Sequence, residues 1–222
     1  MNNKKFFTAD LHLGHKNILT LAKRKFNSIE EHDGHIIRCI NDTVDKKDNL
    51  YILGDLGFHR NIDKLRDYLL RINCRNIHVV AGNHDKVKDL VDLRREGVIL
   101  DVQQKIIVQK NRKAIVCLHY PMREWEGYYR GYYHAYGHCH GTQPPYERSM
   151  DVGVDNIGYH PIEFDDLIQR IDEFKEGTPS NITQEDEMIN EFFPDLNTHY
   201  FVALCTGNEV IRKVISSELR GK

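Results

Sequence analysis

Thirteen histidines are spread along this chain, and the informative ones fall where short apolar runs end. Asp10-Leu11-His12, Gly54-Asp55, Gly82-Asn83-His84-Asp85, His119 and Gly137-His138-Cys139-His140 each close such a run. Alternate residues of an extended segment point the same way. Asp10 and His12 therefore share a target, as do His138 and His140, while Cys139 points away into packing. Together Asp10, His12, Asp55, Asn83, His119, His138 and His140 offer imidazole nitrogen with carboxylate and amide oxygen, and no thiolate is needed. That donor set suits borderline or hard divalent ions such as Mn²⁺, Fe²⁺, Zn²⁺ or Mg²⁺. The seven donors are too many for one ion that keeps a position open for water, and about right for two ions sharing a carboxylate. Two ions about 3.5–4 Å apart clamp the oxygens of an in-line displacement at phosphorus.

The elements that must position these groups follow from the apolar pattern. Residues 5–9, 50–53 and 79–81 read as buried strands, rich in aromatic, aliphatic and β-branched residues. Between the first two, Ser28 stands as an N-cap with Glu31 in the capping-box position. Ile29, Ile36, Ile37, Ile40 and Val44 then recur at helical spacing, which puts His32 and His35 on or beside the solvated face. Ile62, Leu65, Leu69 and Leu70 mark a second helix, and residues 87–95 a third. Strand and helix thus alternate, which predicts βαβ units with ligands beyond the carboxyl ends of the strands. Residues 98–102, 105–109 and 114–118 are β-like, with a hairpin turn at Asn111. Residues 151–155 read as one more strand and turn, and Pro161 starts a final amphipathic helix carrying Phe164, Leu167, Ile168 and Ile171.

Composition sets the outer limits. A chain of 222 residues with 40% hydrophobic content buries one substantial core. We expect one domain over 1–175, followed by a linker and C-terminal extension over 176–222 packed on it. The net charge of −2, from 31 basic and 33 acidic residues, gives no bias toward nucleic acid or membrane, although a local basic rim would not show in the sum. Five scattered cysteines and a polar start without a signal peptide predict free thiols in a reducing cytoplasm. No apolar run approaches a membrane-spanning length.

As an ordered set, Asp10-x-His12, Gly54-Asp55, Gly82-Asn83-His84-Asp85, His119 and Gly137-His138-x-His140 resemble the calcineurin-like metallophosphoesterases, in particular small prokaryotic or phage-type members. Each block alone is weak; the order is what is specific. The resemblance implies a two-sheet βαββ sandwich flanked by helices, with a dinuclear site at one edge. It implies that Asp10, His12, Asp55 and His140 hold one metal, and that Asp55, Asn83, His119 and His138 hold the other. His84 then matches the family's non-ligand catalytic histidine and Asp85 the carboxylate that orients it. The implied cofactors are two divalent ions, manganese first, with iron, zinc, magnesium, nickel or cobalt as alternatives.

The expected activity is hydrolysis of a phosphomonoester or phosphodiester by a metal-bridging hydroxide, on a substrate that includes nucleotides among its candidates. His15, His59 and Arg60 are candidate substrate contacts. Arg123, Arg130 and Arg148 alternate with Trp125, Tyr128, Tyr129, Tyr132 and Tyr133, a pattern that either rims the site or packs on itself. The first form would support a nuclease or cyclic-nucleotide phosphodiesterase, a reading the net charge disfavours. A non-catalytic scaffold of the same fold would be expected to have lost ligands, and none is missing here.

Overall fold

The structure, a computed structural model, describes residues 3–58 and 61–177, with side chains through residue 174. His59, Arg60 and nearly all of the expected extension over 176–222 lie outside the described residues. In chain order the elements are β1 (Lys5–Thr8), α1 (Ile18–Leu21), α2 (Ile29–Thr43), β2 (Asn49–Ile52), α3 (Ile62–Leu70), β3 (Asn76–Val80) and α4 (Val87–Arg95). They continue as β4 (Asp101–Gln103), β5 (Ile106–Lys110), β6 (Lys113–Cys117), β7 (Tyr133–Tyr136), β8 (Ser149–Asp151), α5 (Val154–Ile157), β9 (Ile162–Glu163) and α6 (Phe164–Gly177).

Nine strands form two sheets among the described residues, ordered β4-β3-β2-β1-β9 and β5-β6-β7-β8. Strands β1 to β4 pair in parallel, and β9 closes that sheet antiparallel to β1. The fold is the expected two-sheet α/β sandwich flanked by helices. Its cause is legible in the strands, which are apolar on both faces as parallel strands buried on both sides must be. Phe6, Leu50, Ile52, Ile77 and Val79 face one core, built with Ile36 and Ile40 of α2, Leu65 and Leu69 of α3, and Leu90 and Leu93 of α4. Phe7, Tyr51, Leu53 and Val80 face the other, shared with Ile115 and Cys117 of β6, Ala135 of β7, Met150 of β8, and Leu167, Ile168 and Ile171 of α6. Each of these fully buried aliphatic or aromatic side chains contributes about 1.5–3 kcal/mol on leaving water.

Three local outcomes differ from the sequence pattern. The strand expected at 98–102 shrinks to β4, because Gly97 at φ 76° ends α4 in a Schellman motif. Val98 N–H donates to Leu93 and Gly97 N–H to Arg94, so the backbone of Val98 is committed to the helix end. Pro161 does not open the last helix; β9 comes first and α6 begins at Phe164. His32 is not on a solvated face but fully buried in α2, with Nδ1–H donating to Asp33 and Nε2 accepting from Arg24. The hairpin at Asn111 forms as expected: Asn111 and Arg112 both have positive φ between paired Lys110 and Lys113. No helix of the described residues is long and apolar enough to cross a membrane.

The far face of the second sheet is closed by the aromatic loop. His134 is fully buried there; Nδ1–H donates to Val116 O at 2.8 Å and Nε2 accepts from Met122 N at 3.3 Å. The Trp125 ring lies 5.1 Å from it. Burial lowers the His134 pKa to about 4, so the folded protein holds this ring neutral. A depressed histidine pKa means the unfolded chain binds the extra proton, so stability is full above about 6.5 and falls as pH drops toward 4. We expect urea midpoints measured across that range to decline with acid, and His134→Gln to flatten the part of the slope that this ring contributes, on the order of 3 kcal/mol in the limit.

Candidate metal centre

The parallel pairing of β1 with β2 does not stop where the strands do. Asp10 N–H donates to Gly54 O, His12 N–H to Asp55 O and Leu13 N–H to Leu56 O, all within 2.9–3.0 Å. The two ligand-bearing loops are thus zipped together and leave the sheet as a pair. At the same end Gly137 N–H donates to His119 O, and Ala9 bridges to Gly153, which ties the rims of the two sheets. Asp10, His12, Asp55, His138 and His140 all have φ between 48° and 71°. That left-handed geometry is uncommon for residues with a side chain and clusters at functional sites. Here it turns the side chains off the ladder and into one volume.

The donors then stand in unusual relations. His119 Nδ1–H donates to Leu53 O at 2.8 Å, which leaves Nε2 as a lone pair in the neutral ring, yet Nε2 sits 2.8 Å from Asn83 Oδ1. The same oxygen lies 3.0 Å from His138 Nδ1. His12 Nε2 is buried with no hydrogen-bond partner, 3.5 Å from Asp55 Oδ2, and His119 Nε2 is 3.6 Å from that same oxygen. Burial, then the Arg24 charge, lowers the His12 pKa to about 2, so this ring is a neutral donor of electrons. Asp10 is fully buried, its carboxylate accepts the His138 amide and no other donor among the described residues, and burial raises its pKa to about 8. Potential ligand atoms of Asp10, His12 and His140 lie within 4.8 Å of one another, as do those of Asp10, Asp55 and His119. Lone pairs that face each other, an orphaned imidazole nitrogen and a buried carboxylate are what divalent cations would reconcile. The residues present fit divalent-metal binding.

Behind the donors runs a buried charged brace. Asp155 Oδ2 accepts His140 Nδ1–H at 2.7 Å, fixing the tautomer that leaves Nε2 free to ligate. Burial alone would raise the Asp155 pKa, but the His140 and Arg24 hydrogen bonds hold it down to about 2. Arg24 meets Asp155 through Nε and Nη2 at 2.8 and 2.6 Å, and donates to the carbonyls of Asp10 and Leu11. Its Nη1 also reaches His32, whose partner Asp33 accepts the Gly14 amide. One guanidinium therefore grips the strained Asp10–His12 backbone and the carboxylate that aims His140.

The turn after β3 is held by Asp85. We expected its carboxylate to orient the His84 ring; it caps backbone amides of Gly82, Asp55 and Leu56 at 2.8–3.0 Å. It thereby locks the Gly54–Leu56 loop to the Gly82–Asp85 turn, and the close approach explains Gly82: a Cβ there would collide with Asp55. His84 N–H donates to Asp55 Oδ1, and its exposed ring stands 5.4 Å from His12. His15 lies beside them, Nδ1 3.2 Å from His12 Nδ1, its ring stacked 4.8 Å from Phe58.

All nine metal and catalytic candidates and His15 thus converge at one sheet end. What the sequence pattern missed is Arg24, Asp155, His32, Asp33 and Asp151, the last accepting the Gly141 and Gly153 amides. Arg24 sits in an ordinary basic run and Asp155 in an ordinary turn; no local spacing marks either.

No family model matches the chain. The uncharacterized protein MJ1445 of Methanocaldococcus jannaschii is 27% identical over 172 residues, 78% of this chain and 93% of that protein. Among solved structures, the protein of unknown function AQ665 from Aquifex aeolicus superposes with a TM-score of 0.59 at 21% identity, covering 78% of this chain and 99% of that one. Yfce, a phosphoesterase from E. coli, superposes with a TM-score of 0.36 at 16% identity, over 68% of this chain and 78% of that one. The Aquifex likeness shows the fold alone, so chemistry has to be argued from the donors.

If the brace positions His140, Asp155→Asn weakens divalent-metal affinity about 10–100-fold by calorimetry. It also destabilises the fold by about 3–5 kcal/mol, because Arg24 is left buried without its carboxylate. Unchanged metal affinity would refute the positioning role.

Proposed function

We propose that the chain is a metal-dependent phosphoesterase acting on a phosphomonoester or phosphodiester. The observation that carries this reading is the lone-pair opposition at Asn83 Oδ1, His119 Nε2 and the orphaned His12 Nε2, all around Asp55. Asp10, His12, Asp55 and His140 would hold one ion, and Asp55, Asn83, His119 and His138 the other, with Asp55 shared. Two divalent ions held there, manganese first, would supply positive charge to phosphoryl oxygens and would acidify water.

The remaining chemistry belongs to the protein. His84 is exposed at the rim, next to His12, and its backbone is fixed through Asp55 and the Asp85-capped turn. It stabilises charge developing on the ester oxygen or donates its proton to the leaving alcohol. Asp85 serves by holding that turn. His15 braces His12 from behind and continues the aromatic rim. The basic-aromatic loop supports a small ester over nucleic acid, since its groups are spent on one another. Arg148 lies 5.0 Å over Tyr128 and donates to its carbonyl, and Trp125 Nε1–H donates to Tyr132 O.

Manganese-loaded protein is expected to hydrolyse at least one of a phosphomonoester, a bis-aryl phosphodiester or a cyclic nucleotide. Asp55→Asn should lose metal and turnover together. His84→Ala should retain metal by calorimetry while kcat on an alkyl leaving group falls about 10²–10⁴-fold. Full turnover of His84→Ala on that substrate would remove His84 from the mechanism.

A further inference from the structure

Beside His84, and lined by none of the seven metal-donor candidates, the surface opens into a cavity of about 290 Å³. Phe58, Ile62, Leu65, Leu90 and His84 line it, and Asp89 adds a partly buried residue with a carboxylate. Phe58 is 55% exposed although it follows an unbroken buried run from Leu50 to Gly57. A single exposed aromatic is unremarkable. This one is fixed: His15 stacks on it at 4.8 Å and 27°, and the His84 ring meets it edge-on at 6.0 Å. The ring is therefore held by two site histidines with much of its surface offered to the cavity.

We propose that this cavity is the subsite for the alcohol portion of the substrate and that it selects a nucleoside. The inference rests on the phosphoesterase reading for what lies at the donor cluster. An ester held there with its leaving oxygen at His84 directs its alcohol past that ring, onto Phe58. A flat heteroaromatic base stacks on Phe58 as one base stacks on one aromatic side chain. Ile62, Leu65 and Leu90 exclude water from the stacked ring, and Asp89 accepts from a ring N–H or amino group, which a plain aryl group lacks. The volume sits at the small end of ligand pockets, about 300 Å³, and so takes one ring system. With a net charge of −2, the fit is to a single nucleotide unit and not to a polymer.

The test is calorimetric titration of the full-length, manganese-loaded chain with two ligands that cannot be cleaved. One is the phosphonate analogue of adenosine 5′-monophosphate; the other is the phosphonate analogue of ribose 5-phosphate, which lacks the base. The base-bearing ligand is expected to bind about tenfold more tightly, the effect of one stacked base. Phe58→Ala should abolish that preference while leaving the ribose ligand's affinity unchanged, and Phe58→Trp should restore it. Equal affinities in the unaltered protein, no binding of either ligand, or a Phe58→Ala loss shared by both would overturn the subsite. Base preference without turnover of any ester would refute the phosphoesterase reading and leave the subsite standing. Turnover without base preference would do the reverse.

Discussion

At the carboxyl end of the sheets, groups that repel one another have been forced together. His119 Nε2 faces Asn83 Oδ1 at 2.8 Å, and Asp10, Asp55 and His12 are buried around them. The fold answers this by giving individual donors a hydrogen-bond partner: the Leu53 carbonyl for His119, Asp155 for His140, the His138 amide for Asp10 and the His84 amide for Asp55. Each donor is thereby left with its electrons directed inward. Left-handed backbone at Asp10, His12, Asp55, His138 and His140 adds about 1–3 kcal/mol of strain apiece. Such strain persists only where the surroundings over-determine it, which the zipped loops and two cores accomplish.

Arg24 is the centre of that over-determination. A guanidinium is an expensive group to bury, and this one is 5% exposed. It is satisfied by Asp155, His32 and two main-chain carbonyls at once. A lysine offers no planar fork for that arrangement, so the position demands arginine on geometry and not on charge alone. The histidine that looked solvent-facing from helical spacing is buried because it belongs to this brace.

The extent to which the sequence revealed the structure follows from the range of each interaction. The blocks that converge at the sheet end were legible because each is local: an apolar run, then a turn, then donor side chains. The sandwich was legible because strands apolar on both faces require cover on both faces. Arg24 and Asp155 were not, since 131 residues separate them and neither has a marked neighbourhood. Asp85 shows a subtler failure. The family resemblance made it the carboxylate that orients the His84 ring, whereas the carboxylate turns back to the main chain of another loop. The shortened β4 reflects competition for backbone amides, which a strand-propensity pattern does not count.

The long reach of these bonds also sets an order of events. His138 donates to Asp10 across 128 residues, and Arg24 holds Asp155 across 131, so both close loops that span most of the described chain. Loop closure is slow and rewarded late, whereas β1, β2 and β3 with their helices pair over shorter spans. Strands β1 to β4 can therefore pair, with Asp10, His12, Asp55 and Asn83 beyond their ends, before His138 and His140 arrive and β9 closes that sheet. A nascent chain on this route displays half of the donor cluster, open on one side. Completion of the second sheet is then the step that brings His138 onto Asp10 and His140 onto Asp155 and so closes the donor cluster.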